Sequence, residues 1–198
     1  MNPHVKRAGV YALMLLANVC QNHTFASPAS GVHDTIAAFY SHSMLELSGH
    51  PIHAVDFIQS VQPLAIQEMN KYHIPASIIL AQAILESGYG LSPLAQEANN
   101  FFGIKANRWN MTTFLYKGDR YRSYDGLYYS FDDHSQFLLE KPVFQNLVQR
   151  RDLSYTSWLY GLEATGYAED PFYIVKLRDI IERFALYRLD ELVPQSSS

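Results

Sequence analysis

Cysteine occurs once in the 198 residues and tryptophan twice, and 15 Lys and Arg stand against 19 Asp and Glu. A single cysteine, Cys20, offers no pair for an internal disulfide, so the core alone must hold the fold. The net charge of −4 excludes the basic footprint of a nucleic-acid-binding surface. Histidine is present eight times, but no HExxH motif or ligand-spaced pair accompanies His134 in "DDHSQF". His134 therefore reads as structural, and neither a metal nor another cofactor is expected. No run reaches the roughly 20 apolar residues of a membrane helix. What the chain does have is apolar material, 48% of residues with 14% aromatic, enough for one globular core.

The N-terminus differs from the rest. "MNPHVKR" is basic, "AGVYALMLLANVC" is an uncharged apolar run, and "TFAS" supplies small residues. That order describes a secretory signal peptide over residues 1–26, cut after Ala26. Lipidation of Cys20 is disfavoured, because Val19 stands where a small residue is wanted. Cleavage removes Cys20, Lys6 and Arg7, leaving a more acidic mature chain with no membrane span. The expected location is secreted or periplasmic.

Residues 27–52 mix Ser, Gly and Pro with short apolar patches and read as a lead-in. From His53, Val55, Ile58, Val61, Leu64, Ile66 and Met69 recur at helical spacing, with Pro63 expected to kink or divide the helix. "PASIILAQAILESGYG", residues 75–90, opens on Pro75 and can close at Gly88. Ser92 before Pro93 predicts a short helix to Ala98. Residues 111–129 are rich in Thr, Tyr and Phe with turn signals at "KGD" and "YDG", which predicts a small hairpin. A capping-box-like start at Ser130 and Asp133 predicts a helix ended by Pro142. "SYTSWLYGLEATG" predicts a further helix with a left-handed Gly166 beyond it. "DPFYIVKLRDIIERFALY" predicts an amphipathic helix from an Asp-Pro cap. The main domain spans 53–190, and the tail 191–198 reads as disordered.

Glu86 is the local oddity. A carboxylate in the last turn of a helix meets the negative end of the backbone dipole, unfavourable by about 0.3–1 kcal/mol. Apolar neighbours add a desolvation cost. Both raise its pKa, and a carboxyl that keeps its proton near neutrality can act as a general acid, for example toward a glycosidic oxygen. Taken alone, Glu86 also fits a solvated side chain at a fraying helix end.

The residues around Glu86 carry a resemblance. "LAQAILESGYGLSPLAQEANNFFGIK" resembles the signature of the bacterial glucosaminidases of glycoside hydrolase family 73, peptidoglycan hydrolases that include the flagellar rod-associated domain. Downstream, "YRSYDG" resembles the family's "FRxY" segment, "SFDDHSQFL" its following helix, and "GLEATGYAEDPFYIVKL" its "AGYATDPxYAxKL" block. The resemblance covers roughly residues 55–187. It implies a mainly α, lysozyme-like fold, a helical lobe and a small β-hairpin lobe flanking a glycan groove. It also implies cleavage of the β-1,4 bond between N-acetylglucosamine and N-acetylmuramic acid of peptidoglycan strands, with Glu86 as general acid.

By the same resemblance Tyr167 belongs to the catalytic groove, where its phenol would orient an acetamido group or a water; the other reading is an aromatic packing beside a helix cap. Asn99 and Asn100 either fix the active-site loop, contact sugar or cap structure. Tyr89, Phe102 and Trp109 are candidate sugar-stacking faces, each also readable as core. Many family members carry a second glutamate in the β lobe, and this chain has none there. Asp119 is either the missing carboxylate or a turn residue beside Gly118. Substrate assistance by the acetamido group, a single-acid lytic transglycosylase, a catalytically weak wall-binding module and a subunit of an envelope complex with an unknown partner follow as alternatives.

Overall fold

The computed structural model describes residues 51–106 and 112–192. The signal-peptide reading, Cys20, nearly all of the lead-in, Trp109 and the tail from residue 193 lie outside them. The chain divides into two compact units, Met1–Ser60 and Val61–Ser198. Of the first, residues 51–60 are described and form the opening turns of helix α1 (Ile52–Tyr72).

Pro63 does not divide α1; the helix assignment runs unbroken past it. Proline there removes one ladder hydrogen bond and crowds the preceding turn, about 3 kcal/mol. Val61, Leu64, Ala65, Ile66 and Met69 are buried in the second unit. At about 1.5–3 kcal/mol per large apolar side chain, their burial outweighs the break.

Helix α2 (Ala76–Ser87) is buried on nearly every side, from Ala76 through Ile84 and again at Ser87. A helix apolar all round is a core helix. It packs chiefly on helix α7 (Tyr173–Arg183) and on a terminal 3₁₀ helix (Leu186–Glu191), with α6 (Tyr155–Ala164) also against it. Pro75 sets its start but has no side-chain cap to give. The cap arrives from the far end of the chain, where Asp190 accepts bonds from the Ser77 amide (2.9 Å) and hydroxyl (2.5 Å). Gly88, Tyr89 and Gly90 then take positive φ in succession (57°, 58° and 74°), which ends α2 abruptly.

Helix α3 (Pro93–Ala98) forms as its sequence predicts, with the Ser92 hydroxyl accepting from the Ala95 amide at 3.2 Å. Strands β1 (Thr113–Tyr116) and β2 (Asp119–Arg122) pair antiparallel around Lys117 and Gly118, both at positive φ, as a tight hairpin requires. Lys105 adds an isolated bridge to Tyr121.

Helix α4 (Leu127–Leu139) begins four residues earlier than its capping-box reading, with Gly126 rather than Ser130 as N-cap. Ser130 is buried inside it and accepts from the Phe101 amide at 3.2 Å. Asp133 instead takes both oxygens to Arg122 Nη1 at 2.7 Å and accepts from Tyr124 Oη at 2.5 Å, pinning the hairpin to α4. A short helix α5 (Pro142–Gln149) follows, which the periodicity reading passed over. It meets α6 at Gly161, where a Cβ would come 2.9 Å from the Phe144 ring. Helix α7 starts at Tyr173, beyond the Asp-Pro pair; Asp170 still caps locally by accepting from the Phe172 amide at 2.9 Å.

Candidate active site

Glu86 occupies the final turn of α2, the fold's central helix. Its side chain reaches solvent, yet protein surrounds most of the carboxyl. Burial pushes its pKa up, and a hydrogen bond from Tyr173 opposes that in part. The helix places Gln82 one turn earlier on the same face. Gln82 Nε2 donates to Tyr173 Oη at 3.1 Å, so amide, phenol and carboxyl form one chain.

Tyr167 completes this wall. Its ring stacks on Tyr173 with centroids 5.6 Å apart. Burial raises the Tyr167 pKa above the ordinary phenol value, and the nearby Glu86 charge raises it further. Tyr173 is held neutral in the same way, first by burial and then by Tyr167 and Glu86. Two neutral phenols can donate hydrogen bonds but bring no charge to the Glu86 carboxyl.

The opposite side is the loop after α3. Gly103 adopts φ +63°, and a Cβ there would lie 4.0 Å from Glu86 Oε2, so backbone passes directly over the carboxyl. Asn100 holds that loop. Its amide nitrogen donates to the carbonyls of Ile104 (3.0 Å) and Arg122 (2.8 Å), and its oxygen accepts from the Ile104 amide (3.1 Å). Asn99 is the left-handed C-cap of α3 and donates to the Tyr124 carbonyl at 2.9 Å. Both asparagines thus bond to backbone.

The remaining residues singled out from sequence lie apart. Phe102 is 4% exposed, stacked on His134 at 3.8 Å and edge-on to Phe131 at 4.9 Å. Tyr89 is half-buried and meets Phe184 edge-on at 6.4 Å. Asp119 starts β2 just after the turn and pairs with Lys105 at 2.8 Å, both side chains exposed. His134 is buried without a hydrogen-bond partner, and burial lowers its pKa to about 3. Among the described residues no cluster of three or more His, Cys, Asp or Glu is placed to hold a metal ion. None of their helices is long and apolar enough to cross a membrane.

Sequence reasoning passed over Gln82, Tyr173 and Gly103. Gln82 had a usable signal: it is the one amide in an apolar helix, four residues before Glu86. Tyr173 had none of its own, because its alignment with Gln82 spans 91 residues.

A mainly helical domain with a two-stranded hairpin, carrying a crowded carboxyl at the end of its central helix, defines the lysozyme-like class. Residues 62–186 match the Glucosaminidase family, described as mannosyl-glycoprotein endo-beta-N-acetylglucosaminidase, and the chain belongs to that family. It is 35% identical over 156 residues to the exo-glucosaminidase LytG of Bacillus subtilis (strain 168), covering 72% of this chain and 55% of that protein. It is 29% identical over 143 residues to the peptidoglycan hydrolase FlgJ of Vibrio parahaemolyticus, covering 64% of this chain and 46% of that one. The chain therefore spans about half the length of these relatives. The solved glycoside hydrolase domain of Salmonella typhimurium FlgJ superposes with a TM-score of 0.58 at 26% identity, covering 67% of this chain and 88% of that domain.

Proposed function

We propose that this protein is a peptidoglycan hydrolase that cleaves the β-1,4 bond between N-acetylglucosamine and N-acetylmuramic acid outside the cytoplasm. The observation that carries the reading is Glu86, a solvent-reaching carboxyl with raised pKa beside the Gly103 backbone in a glucosaminidase-family chain. A proton retained near neutrality can pass to the glycosidic oxygen as the bond breaks. Tyr173 fixes the carboxyl in place. Tyr167 presents a neutral phenol that can orient the acetamido group or a water. Support for export comes from the signal-like N-terminal pattern.

The test is digestion of purified sacculi followed by mass spectrometry. Wild type should release muropeptides ending in reducing N-acetylglucosamine, and Glu86→Gln should lower release by at least about 100-fold. Equal, negligible release by both proteins removes the enzyme reading. A second reading has one observation in its favour: the hairpin residue Leu115 is exposed and no glutamate occurs on either strand. A single-acid lytic transglycosylase would give anhydro ends, and a binding module would hold sacculi without cutting them.

A further inference from the structure

Gln82 is an amide that the packing of its helix does not require. Ile79, Leu80, Ala81 and Ala83 beside it are apolar and, like it, fully buried. A buried amide is normally bonded at both ends, because an unpaired polar atom forfeits the hydrogen bonds that water gave it. Gln82 is bonded at one. Its Nε2 donates to Tyr173 Oη at 3.1 Å, while Oε1 has no hydrogen-bond partner among the described residues. An apolar side chain of similar size would leave no acceptor unpaired there, so the use of this amide lies at its nitrogen.

That nitrogen determines what the neighbouring phenol can do. A phenol oxygen carries one proton and two lone pairs, and an amide nitrogen only donates. Tyr173 therefore accepts from Gln82, and its own proton is left for a different acceptor. Glu86 is that acceptor, taking a hydrogen bond from Tyr173. Gln82 stands one helical turn before Glu86 on the same face, so one buried helix holds both ends of this chain of bonds. Tyr173 closes it from α7, 91 residues away from Gln82. The Tyr167 ring, stacked on Tyr173 with centroids 5.6 Å apart, packs one side of that phenol. Were Oε1 turned to the phenol instead, it would compete with Glu86 for the one proton.

We propose that Gln82 is a positioning residue of the site: by donating to Tyr173 it leaves the phenol proton for Glu86 and so fixes the direction of the carboxyl. The inference rests on the glycosidase reading above, in which Glu86 gives its proton to the leaving oxygen. Donation from Tyr173 to one carboxyl oxygen leaves the acidic proton to the other, which is free to face the sugar. Once that proton has left, the bare carboxylate finds a hydroxyl already aimed at it. No reorientation is needed as the charge appears.

The test follows the Glu86 titration midpoint by carboxyl NMR on the full chain labelled at glutamate, with the signal assigned by its absence in Glu86→Gln. Gln82→Met and Gln82→Leu both lack the amide but differ in shape. Each should raise the midpoint by about half a pH unit or more, because Tyr173 no longer donates in a fixed direction. On sacculi, kcat should fall about tenfold with KM within about twofold. The melting temperature should stay within about 3 °C, since the unpaired Oε1 leaves together with the lost bond. In a Tyr173→Phe background, Gln82→Met should shift the midpoint by less than about 0.2 further.

Three results overturn the proposal. One is a midpoint unmoved in both variants that lack the amide. Another is a shift on Gln82→Met that is as large without the Tyr173 hydroxyl as with it. The third is activity lost only in step with melting temperature, which makes Gln82 a packing residue. If wild type cuts sacculi and Glu86→Gln does not, the glycosidase reading survives all three. If wild type cuts nothing that reading falls, and the midpoints still decide the link from Gln82 through Tyr173 to Glu86.

Discussion

The carboxyl group of Asp190 caps the helix that ends in Glu86, accepting both the amide and the hydroxyl of Ser77 from 113 residues further along the chain. The 3₁₀ helix at the end of the described residues therefore holds the start of the helix that carries Glu86. Asp190→Ala removes a cap and leaves buried donors, which should cost about 1–2 kcal/mol and lower the urea midpoint accordingly. Asp190→Asn keeps an acceptor and should lose less than half as much. Equal losses for the two variants count against the cap.

Stability should depend on pH through three buried groups. Burial raises Glu68 and Asp190 each to about 7 and lowers His134 to about 3. Native Glu68 and Asp190 keep protons that the unfolded chain releases near pH 4, so stability falls as pH rises from about 4 to 7 and then levels. His134 works oppositely: the unfolded chain binds a proton that the native state refuses, so stability rises between about pH 3 and 6.5. Glu68→Gln should flatten the decline measured by thermal unfolding from pH 5 to 8. An unchanged slope would assign that decline elsewhere.

Glu86 carries its own pH signature. Activity should fall as pH rises through its elevated pKa, because the proton donor is lost. Tyr173 lowers that pKa by donating to the carboxylate. Tyr173→Phe should therefore move the alkaline limb of the rate profile to higher pH, while costing about 1–3 kcal/mol for the Gln82 amide left unpaired. A limb that stays put or moves down contradicts the hydrogen bond as drawn.

Asn100 makes three bonds to backbone while 1% exposed. Asn100→Ala should cost about 3 kcal/mol or more from unpaired buried groups. It should also reduce kcat, since the loop over Glu86 loses its tether. Full activity at a temperature well below the midpoint would show that the loop keeps its place without the amide.

Where local chemistry decides, the sequence was legible. Ser92 and Pro93 start α3, Gly88 ends α2, and Lys117–Gly118 turns the hairpin, each by a preference acting within a few residues. The raised pKa of Glu86 was legible from its apolar helix, although the burial that raises it comes in part from the distant Gly103 backbone. What escaped depends on distant partners. Ser130 and Asp133 carry the letters of a capping box, but Phe101 and Arg122 claim them. Pro63 should break a lone helix, and core burial carries the helix past it. Phe102 looks like a groove aromatic until His134 is found stacked on its face. The Gln82 to Tyr173 bond appears only once the chain has folded back on itself.

One side chain ties the surroundings of Glu86 to the hairpin. Asn100 is bonded to the loop that crosses Glu86 and, through the Arg122 carbonyl, to the base of the hairpin. Arg122 is clamped in turn to α4 by Asp133. Through Asn100, Arg122 and Asp133, the loop beside Glu86, the hairpin and α4 are thus joined into one hydrogen-bonded frame.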